Sequence, residues 1–165
     1  MNIDRGTFLI STPALDDPNF KRAVIFICEH NENGFMGFVV NKLFSRKFNE
    51  LEEFNQSIAF PLFAGGPVKK ENIFFLHRRP DVIQEGISVT ASVYLGGNFE
   101  QAVACINNNT ILADDIKLFI GYCGWDSNEL EEEIAEGSWS IADPAMEVIF
   151  SKNPDMLWEQ LYEEI

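Results

Sequence analysis

Few side chains in this sequence could act as nucleophiles, bases or metal ligands, and two of them stand close together. Cys28 and His30 are two residues apart near the end of a predicted strand, and side chains at that spacing leave the same face of a strand. A cysteine nucleophile needs a neighbouring base or cation to lower its pKa, and His30 is the nearby candidate. The pair could form a thiol–imidazole site or half of a metal site. A packed thiol beside a hydrogen-bonded edge histidine is the simpler interpretation, and the pattern favours it.

The second histidine, His77, closes another apolar segment. Together with Cys28, His30 and Cys123 it could complete a set of four zinc ligands. Zinc sites of this kind normally draw paired ligands from both halves of the site, as in two C-x₂-C motifs. The sequence has a single close pair, so we expect no metal.

Three glycine-containing segments, residues 65–67, 96–97 and 121–125, could form turns beside a ligand. The last one precedes a predicted helix that begins at Asp126, and the N–H groups at a helix N-terminus can hold an anion. The segment lacks the lysine of a phosphate loop, and acidic residues crowd the helix. Structural turns are therefore favoured, with Trp125 as a core anchor or a pocket wall.

No other motif assigns a reaction to the sequence. The G-x-S-x-G pattern of serine hydrolases is absent. Carboxylates are plentiful, but Glu131, Glu132 and Glu133 are consecutive and fit the solvated side of a helix. We therefore predict no catalytic residue and no cofactor, and the sequence favours a non-enzymatic protein.

Negative charge is concentrated in the last third of the chain. The net charge is -14, and residues 114–165 contain 14 acidic residues against Lys117 and Lys152. Proteins that bind nucleic acid neutralise phosphates with Lys and Arg, so this balance argues against a nucleic-acid partner. Four basic pairs in the first half could converge in space, but solvated surface is the favoured interpretation. They are Lys21-Arg22, Arg46-Lys47, Lys69-Lys70 and Arg78-Arg79.

Hydrophobic periodicity predicts both strands and helices. The predicted strands are residues 7–10, 23–29, 35–40, 62–64, 73–76, 87–89 and 116–122, with a hairpin turn at 31–34. The predicted helices are residues 47–54, 98–107 and 126–136, one that begins at Pro154, and a shorter one after Pro144. The elements do not alternate as βαβα. The pattern therefore predicts the α+β class, with a mixed, mainly antiparallel sheet and flanking helices.

Length and composition predict one compact domain that spans residues 1–165. Hydrophobic residues make up 46% of the chain and include 15 phenylalanines, enough for an aromatic-rich core. The first residues show no signal-peptide pattern, and the apolar runs are far shorter than the ~20 residues of a membrane helix. Three cysteines in apolar settings fit reduced thiols. We expect a cytoplasmic protein without a membrane segment.

Five short segments, in a fixed order, cover much of the chain between Gly6 and Trp139. They are Ser11-Thr12-Pro13-Ala14-Leu15-Asp16-Asp17-Pro18-Asn19-Phe20, Cys28-Glu29-His30, Gly34-Phe35-Met36-Gly37-Phe38-Val39-Val40-Asn41, Gly65-Gly66-Pro67-Val68 and Gly121-Tyr122-Cys123-Gly124-Trp125. Together they resemble the bacterial YqgE/AlgH family. The resemblance implies a compact α+β fold around a mixed, barrel-like sheet and implies little about activity. Some members of the family are labelled transcriptional regulators.

These observations predict an intracellular bacterial protein that acts through protein partners, with its acidic third docking a basic surface. Two alternatives stay open. One is a small-ligand binder or enzyme with a pocket near His30 and His77, and the other is a transcriptional regulator, as the family label suggests. The candidate pocket or binding residues are Cys28, Glu29, His30, Asn41, Gly65, Gly66, His77, Gly124 and Trp125.

Overall fold

A computed structural model describes residues 3–164, and within them the chain forms nine strands and three α-helices. The strands are β1 Phe8–Ser11, β2 Val24–Asn31, β3 Gly34–Val39, β4 Leu62–Ala64, β5 Val68–His77, β6 Ile87–Ser88, β7 Tyr94–Leu95, β8 Ile116–Asp126 and β9 Trp139–Ala142. The helices are α1 Phe99–Asn107, α2 Glu129–Ala135 and α3 Pro154–Glu163. Short 3₁₀ turns occupy Phe48–Glu50, Glu52–Phe54 and Met146–Phe150.

All nine strands belong to one mostly antiparallel sheet. Its order is β6-β7-β5-β8-β3-β2-β1-β9, with β4 parallel to β8. The end strands of this path, β6 and β9, do not pair with each other, so the sheet of residues 3–164 is not closed. The predicted α+β class and mainly antiparallel sheet are confirmed, whereas the barrel-like core is not confirmed.

Strand β8 is the centre of the sheet and pairs with three neighbours. Its first half lies between β4 and β5, and its last four residues pair with β3. The strand changes neighbours at Gly121, whose φ is +74° and whose added Cβ would lie 2.3 Å from the carbonyl oxygen of Gly66. No other residue type fits so close an approach without strain.

The prediction of a turn at residues 121–125 is therefore wrong. These residues continue β8 as far as Asp126, and α2 begins later, at Glu129. The glycines that suggested a turn instead permit close approach between strands. Because residues 123–126 pair with β3, the segment does not present the free N–H groups that an anion site would need.

Apolar side chains pack on both faces of the sheet. On β2, Phe26 and Cys28 belong to a cluster that α3 and the turn Met146–Phe150 cover, whereas Ile25 and Ile27 face a cluster that includes Leu130 of α2. A third cluster lies beneath α1 and contains Leu118 and Ile120 of β8. Phe119 points to the opposite side, into the α3 cluster, as the alternation of a strand requires.

The helical predictions are only partly correct. The predictions of α1 and α3 are confirmed, and Asn98 caps α1 by accepting a hydrogen bond from the N–H of Gln101 at 3.0 Å. The predicted helix at 47–54 is wrong, because extended backbone at Leu51 divides it into two 3₁₀ turns. The helix expected after Pro144 is a 3₁₀ turn. None of the helices within residues 3–164 is both long enough and apolar enough to span a bilayer.

Candidate functional site

Cys28 and His30 lie on opposite faces of β2, contrary to the prediction. The pairing of β2 with β3 shifts at a bulge between Ile27 and Glu29. Cys28 packs in the cluster beneath α3, whereas His30 pairs with Phe35, a member of the cluster on the other face. A bulge inserts one extra residue and so reverses which side chains share a face. The expected thiol–imidazole pair is not formed.

His30 is an exposed residue at the end of the hairpin. Its ring stacks on Phe35 with centroids 4.0 Å apart, and its Nδ1 lies 3.6 Å from Oδ1 of Asp4. These contacts fit the edge-residue interpretation.

His77 is fully buried, and both of its ring nitrogens have backbone partners. Nε2 donates to the carbonyl oxygen of Gly96 at 3.0 Å, and Nδ1 accepts from the N–H of Arg79 at 3.1 Å. This arrangement fits a neutral imidazole, because a protonated ring could not accept from Arg79. Burial lowers the pKa of His77, although the bond to Gly96 and the nearby Asp81 act in the opposite direction.

The two histidines lie near opposite ends of β8. His77 pairs with Ile116 at the start of β8. His30 stacks on Phe35, and Phe35 pairs with Trp125 near the end of β8. At about 3.3 Å per residue, nine residues of strand span up to about 30 Å. None of the described pockets is lined by both histidines. The structure thus does not bring His30 and His77 together, and the zinc set that needed both is not assembled.

The two strand cysteines are buried thiols. Cys28 donates weakly to the carbonyl oxygen of Phe26, and Cys123 donates to that of Gly65 at 3.3 Å. Burial raises the pKa of Cys28 well above its ordinary value and raises the pKa of Cys123 to about 12. Both therefore stay protonated at neutral pH, which disfavours attack on an electrophile.

Asn41, Gly65 and Gly66 hold the backbone together. The Asn41 side chain accepts from the N–H of Val24 at 2.9 Å and donates to the carbonyl of Arg22 at 3.0 Å. Gly65 bridges two strands, since its N–H donates to Ile120 and its carbonyl accepts from Val39. Gly66 follows at the close approach to β8.

Glu29 and Trp125 line one shallow depression of about 160 Å³ beside the hairpin, and Gly124 lies exposed next to it on β8. A hydrogen bond to α2 also holds the Trp125 side chain in place. The indole N–H groups of Trp125 and Trp139 both donate to Oε1 of Glu133, at 3.1 and 2.8 Å. Trp125 is thus a core anchor, as one of the two predicted roles required.

A larger and more apolar cleft lies at the other end of β8, around Lys117. It has a volume of about 400 Å³ and opens between the start of β8, β4 and the segment that leads into α3. Its apolar lining residues are Leu43, Pro61, Phe63, Ala113, Ile116, Phe150 and Pro154. Its polar lining residues are Asp114, Lys117, Ser151 and Lys152. We call this site the Lys117 cleft.

Lys117 is 4% exposed, an unusual burial for a lysine. Its Nζ donates to the carbonyl oxygen of Val40 at 2.8 Å and lies 3.8 Å from the centroid of the Phe63 ring. Among residues 3–164, no Asp or Glu forms an ion pair with it. Burial without a counter-ion lowers the pKa of Lys117 to about 7. A substantial fraction of the side chain is therefore a neutral amine near pH 7.

The charged groups at the rim of the cleft are paired with each other. Lys152 lies 3.9 Å from Asp114, and both are more than half exposed. Outside the cleft wall, Arg78 lies over the Phe150 ring at 4.7 Å and forms an ion pair with Asp115 at 3.5 Å. The amine of Lys117 thus lies deep in an apolar site, while the other charges remain near solvent.

Sequence reasoning missed this site, although one signal was present. The predicted strand 116–122 contains a single charged residue, Lys117, among Ile, Leu and Phe. A lysine inside an otherwise apolar strand must either reach solvent or be buried. Only the packing of residues distant in sequence, such as Val40 and Phe150, decides between these outcomes.

The basic pairs do not form one positive surface. Arg22 pairs with Glu159, and Arg79 forms two bonds to Asp81, at 2.9 and 3.0 Å. Arg46 and Lys70 do line one groove, of about 720 Å³, but three glutamates line it with them. They are Glu52, Glu53 and Glu71.

A family model described as AlgH-like, DUF179, matches residues 8–165. The chain belongs to this AlgH-like family. Among its AlgH-like relatives, a UPF0301 protein of Chlorobaculum tepidum is 39% identical over 155 residues, covering 94% of the chain and 83% of the relative. A UPF0301 protein of Cytophaga hutchinsonii is 36% identical, with coverages of 96% and 88%. The YqgE/AlgH resemblance is confirmed.

Two solved structures share the AlgH-like fold. The solution structure of the AlgH protein from Pseudomonas aeruginosa superposes with a TM-score of 0.77 at 25% identity, covering 94% of this chain and 85% of that one. The crystal structure of a Corynebacterium diphtheriae protein gives a TM-score of 0.68 at 22% identity, with coverages of 90% and 80%. The second match supports the fold alone.

Proposed function

We propose that the chain is a small-molecule-binding domain and that its binding site is the Lys117 cleft. The observation that carries the proposal is a buried lysine that lines an apolar cleft and has no carboxylate partner among residues 3–164. Burying an unpaired amine is unfavourable. A ligand group that accepts a hydrogen bond from Nζ would offset that cost.

The lining defines the chemistry of the ligand. A volume of about 400 Å³ lies within the range of sites for small organic molecules. Phe63, Phe150 and Leu43 offer apolar surface, while Nζ of Lys117 and the hydroxyl of Ser151 can bond polar groups. The matching ligand has an apolar body and one carboxylate, sulfonate or carbonyl end.

Fluorescence of 1-anilinonaphthalene-8-sulfonate tests this proposal, because the probe combines an aromatic body with an anionic end. We expect saturable binding near neutral pH, with competition by benzoate. Removing the Nζ donor in Lys117→Met should weaken binding by about tenfold, the equivalent of ~1.4 kcal/mol. Lys70 is an exposed residue of β5 that lies outside the cleft, so Lys70→Met is the matched control and should bind normally.

Equal affinity of the wild type and Lys117→Met for the probe would contradict the proposal. Amide shift mapping should accompany the titration, with changes expected at Phe63, Ile116 and Ser151, which line the cleft. Shifts confined to the hairpin around Glu29 would contradict it as well. Circular dichroism establishes that the variants are folded, since partly unfolded proteins also bind this probe.

A second candidate is docking of a protein partner with a basic surface on α2. The observation that favours it is the set of exposed α2 carboxylates that form no ion pair within residues 3–164. They are Glu129, Glu131 and Glu132. Such a surface would steer a basic partner and make association salt-dependent.

Charge reversal tests this second candidate. A pulldown with Glu131→Lys/Glu132→Lys should lose a partner that the wild type retains, whereas Glu52→Lys/Glu53→Lys, remote from α2, should keep it. A pulldown that both variants leave unchanged would contradict the candidate. We do not propose DNA binding, because the arginines of two basic pairs bond to nearby carboxylates.

A further inference from the structure

We propose that Nζ of Lys117 is a nucleophile that forms a Schiff base with a small aldehyde or ketone held in the Lys117 cleft. The inference rests on the proposed function, because the carbonyl compound must first occupy the cleft. It adds the ligand class and a covalent step to that function.

The contacts of Nζ leave its lone pair available. The carbonyl oxygen of Val40, 2.8 Å away, can only accept a hydrogen bond, and it therefore engages an N–H group. The Phe63 ring, whose centroid is 3.8 Å from Nζ, presents an electron-rich face that also attracts N–H rather than a lone pair. A neutral amine satisfies both contacts with its hydrogens.

The surroundings favour that neutral amine. The charged side chains on neighbouring segments are Lys42, Arg78, Asp114, Asp115 and Lys152. Each of them has another partner: Lys42 bonds to the carbonyl of Lys21, and the rest form two ion pairs with one another. None of the five pairs with Nζ, and burial lowers the pKa of Lys117 to about 7. Lysines become carbonyl nucleophiles in such desolvated sites.

The step balances without any further reactant. The Nζ lone pair attacks the carbonyl carbon, a C–N bond forms, and a proton moves from nitrogen to the former carbonyl oxygen to give a carbinolamine. The hydroxyl group then leaves together with the remaining N–H proton as water, and a C=N bond forms. Hydrolysis reverses the sequence, so the linkage is reversible and needs no oxidant or reductant.

Reductive trapping tests the inference. The folded protein is incubated with benzaldehyde and sodium cyanoborohydride near neutral pH, and the benzylated sites are quantified by peptide mass spectrometry. An ordinary lysine is about 0.04% neutral at pH 7, whereas a lysine with a pKa near 7 is about half neutral. We expect Lys117 to be labelled at least about tenfold faster than exposed lysines such as Lys70.

Two controls define the result. The α-amino group, with an ordinary pKa of about 8, reports that the reagent is active. In guanidinium chloride the preference for Lys117 should disappear, because its low pKa depends on burial. Labelling of the folded protein that shows no enrichment at Lys117 overturns the inference.

The sulfonate titration separates this failure from failure of the proposed function. If the probe binds the cleft in the wild type but benzaldehyde does not label Lys117 preferentially, the Schiff base is wrong and the binding site stands. If neither occurs, both proposals fail. Saturable binding together with preferential labelling supports both.

Discussion

The side-chain nitrogen of Lys117 lies 2.8 Å from the carbonyl oxygen of Val40, 77 residues away in sequence. This bond joins the start of β8 to Val40, the residue that follows β3. It also holds the amine in an apolar site where protonation is unfavourable. The relationship therefore links stability, pH dependence and the proposed binding site.

Lys117→Met should make the protein more stable at neutral and acidic pH. Below about pH 7 both the folded and unfolded states carry the proton, and the folded state bears the full cost of a buried charge. A folded pKa of about 7 against ~10.4 unfolded corresponds to roughly 5 kcal/mol. Allowing for the lost bond to Val40, we expect a gain of about 2–4 kcal/mol near pH 6.

Denaturant unfolding at several pH values measures this effect. Between about pH 7 and 10 the unfolded wild type binds more protons, so wild-type stability rises with pH and the advantage of Lys117→Met shrinks. Lys70→Met should follow the wild type throughout. A constant difference between the wild type and Lys117→Met across that range would contradict the assignment of a low pKa.

His77→Phe should destabilise the fold. It removes the partner of the half-buried Gly96 carbonyl and of the Arg79 N–H, which should cost about 2–4 kcal/mol at neutral pH. Burial lowers the pKa of His77, so the wild type itself loses stability as pH falls below about 6.5. The difference in unfolding free energy between the wild type and His77→Phe should therefore become smaller at low pH. Urea unfolding checks both expectations. His30 is exposed, so His30→Phe is the control and should change the free energy of unfolding by no more than about 0.5 kcal/mol.

Glu133→Ala should destabilise the protein far more than Glu132→Ala does. Its Oε1 accepts from the indoles of Trp125 and Trp139, and bonds to a charged acceptor contribute about 1.5–3 kcal/mol each. We expect a loss of about 2–4 kcal/mol in the free energy of unfolding, with altered tryptophan fluorescence. Exposed Glu132→Ala is the control. Equal losses of unfolding free energy in the two variants would show that Glu133 does not stabilise the fold through Trp125 and Trp139.

Gly121→Ala tests the close approach of β8 to Gly66. Its φ of +74° and the 2.3 Å approach of a Cβ to the Gly66 carbonyl oxygen predict a loss above about 3 kcal/mol. Gly124→Ala on the same strand meets only one atom, at 4.0 Å, and should change stability by less than about 1 kcal/mol. Thermal unfolding compares the two variants, and similar midpoints would contradict the close approach at Gly121.

The sequence predicted those parts of the fold that depend on local patterns. The hairpin of β2 and β3 follows from its turn residues, and α1 follows from apolar spacing with Asn98 as its cap. The glycines of segment 121–125 are typical of a turn, but in the structure the segment belongs to β8 and its glycines permit close contact between strands. The short strands β7 and β9 carried too few residues for a periodic signal.

The candidate site was less predictable because it depends on register and on distant contacts. One bulge in β2 separated Cys28 from His30, and no residue type in the sequence marks that bulge. The environment of Lys117 arises from Val40, Phe63 and Phe150, which are remote from it in sequence. The predicted residues Glu29 and Trp125 share a depression, but it is smaller than the Lys117 cleft.

The most direct test of the account is an NMR titration of the lysine side chains, followed through the ¹³Cε and ¹Hε signals. We predict that one lysine titrates with a midpoint near 7, as burial of Lys117 requires, and that its signal is missing from Lys117→Met. If every lysine signal instead titrates above about pH 10, the ordinary range for a solvated amine, Lys117 is not buried as described and the proposed site loses its basis.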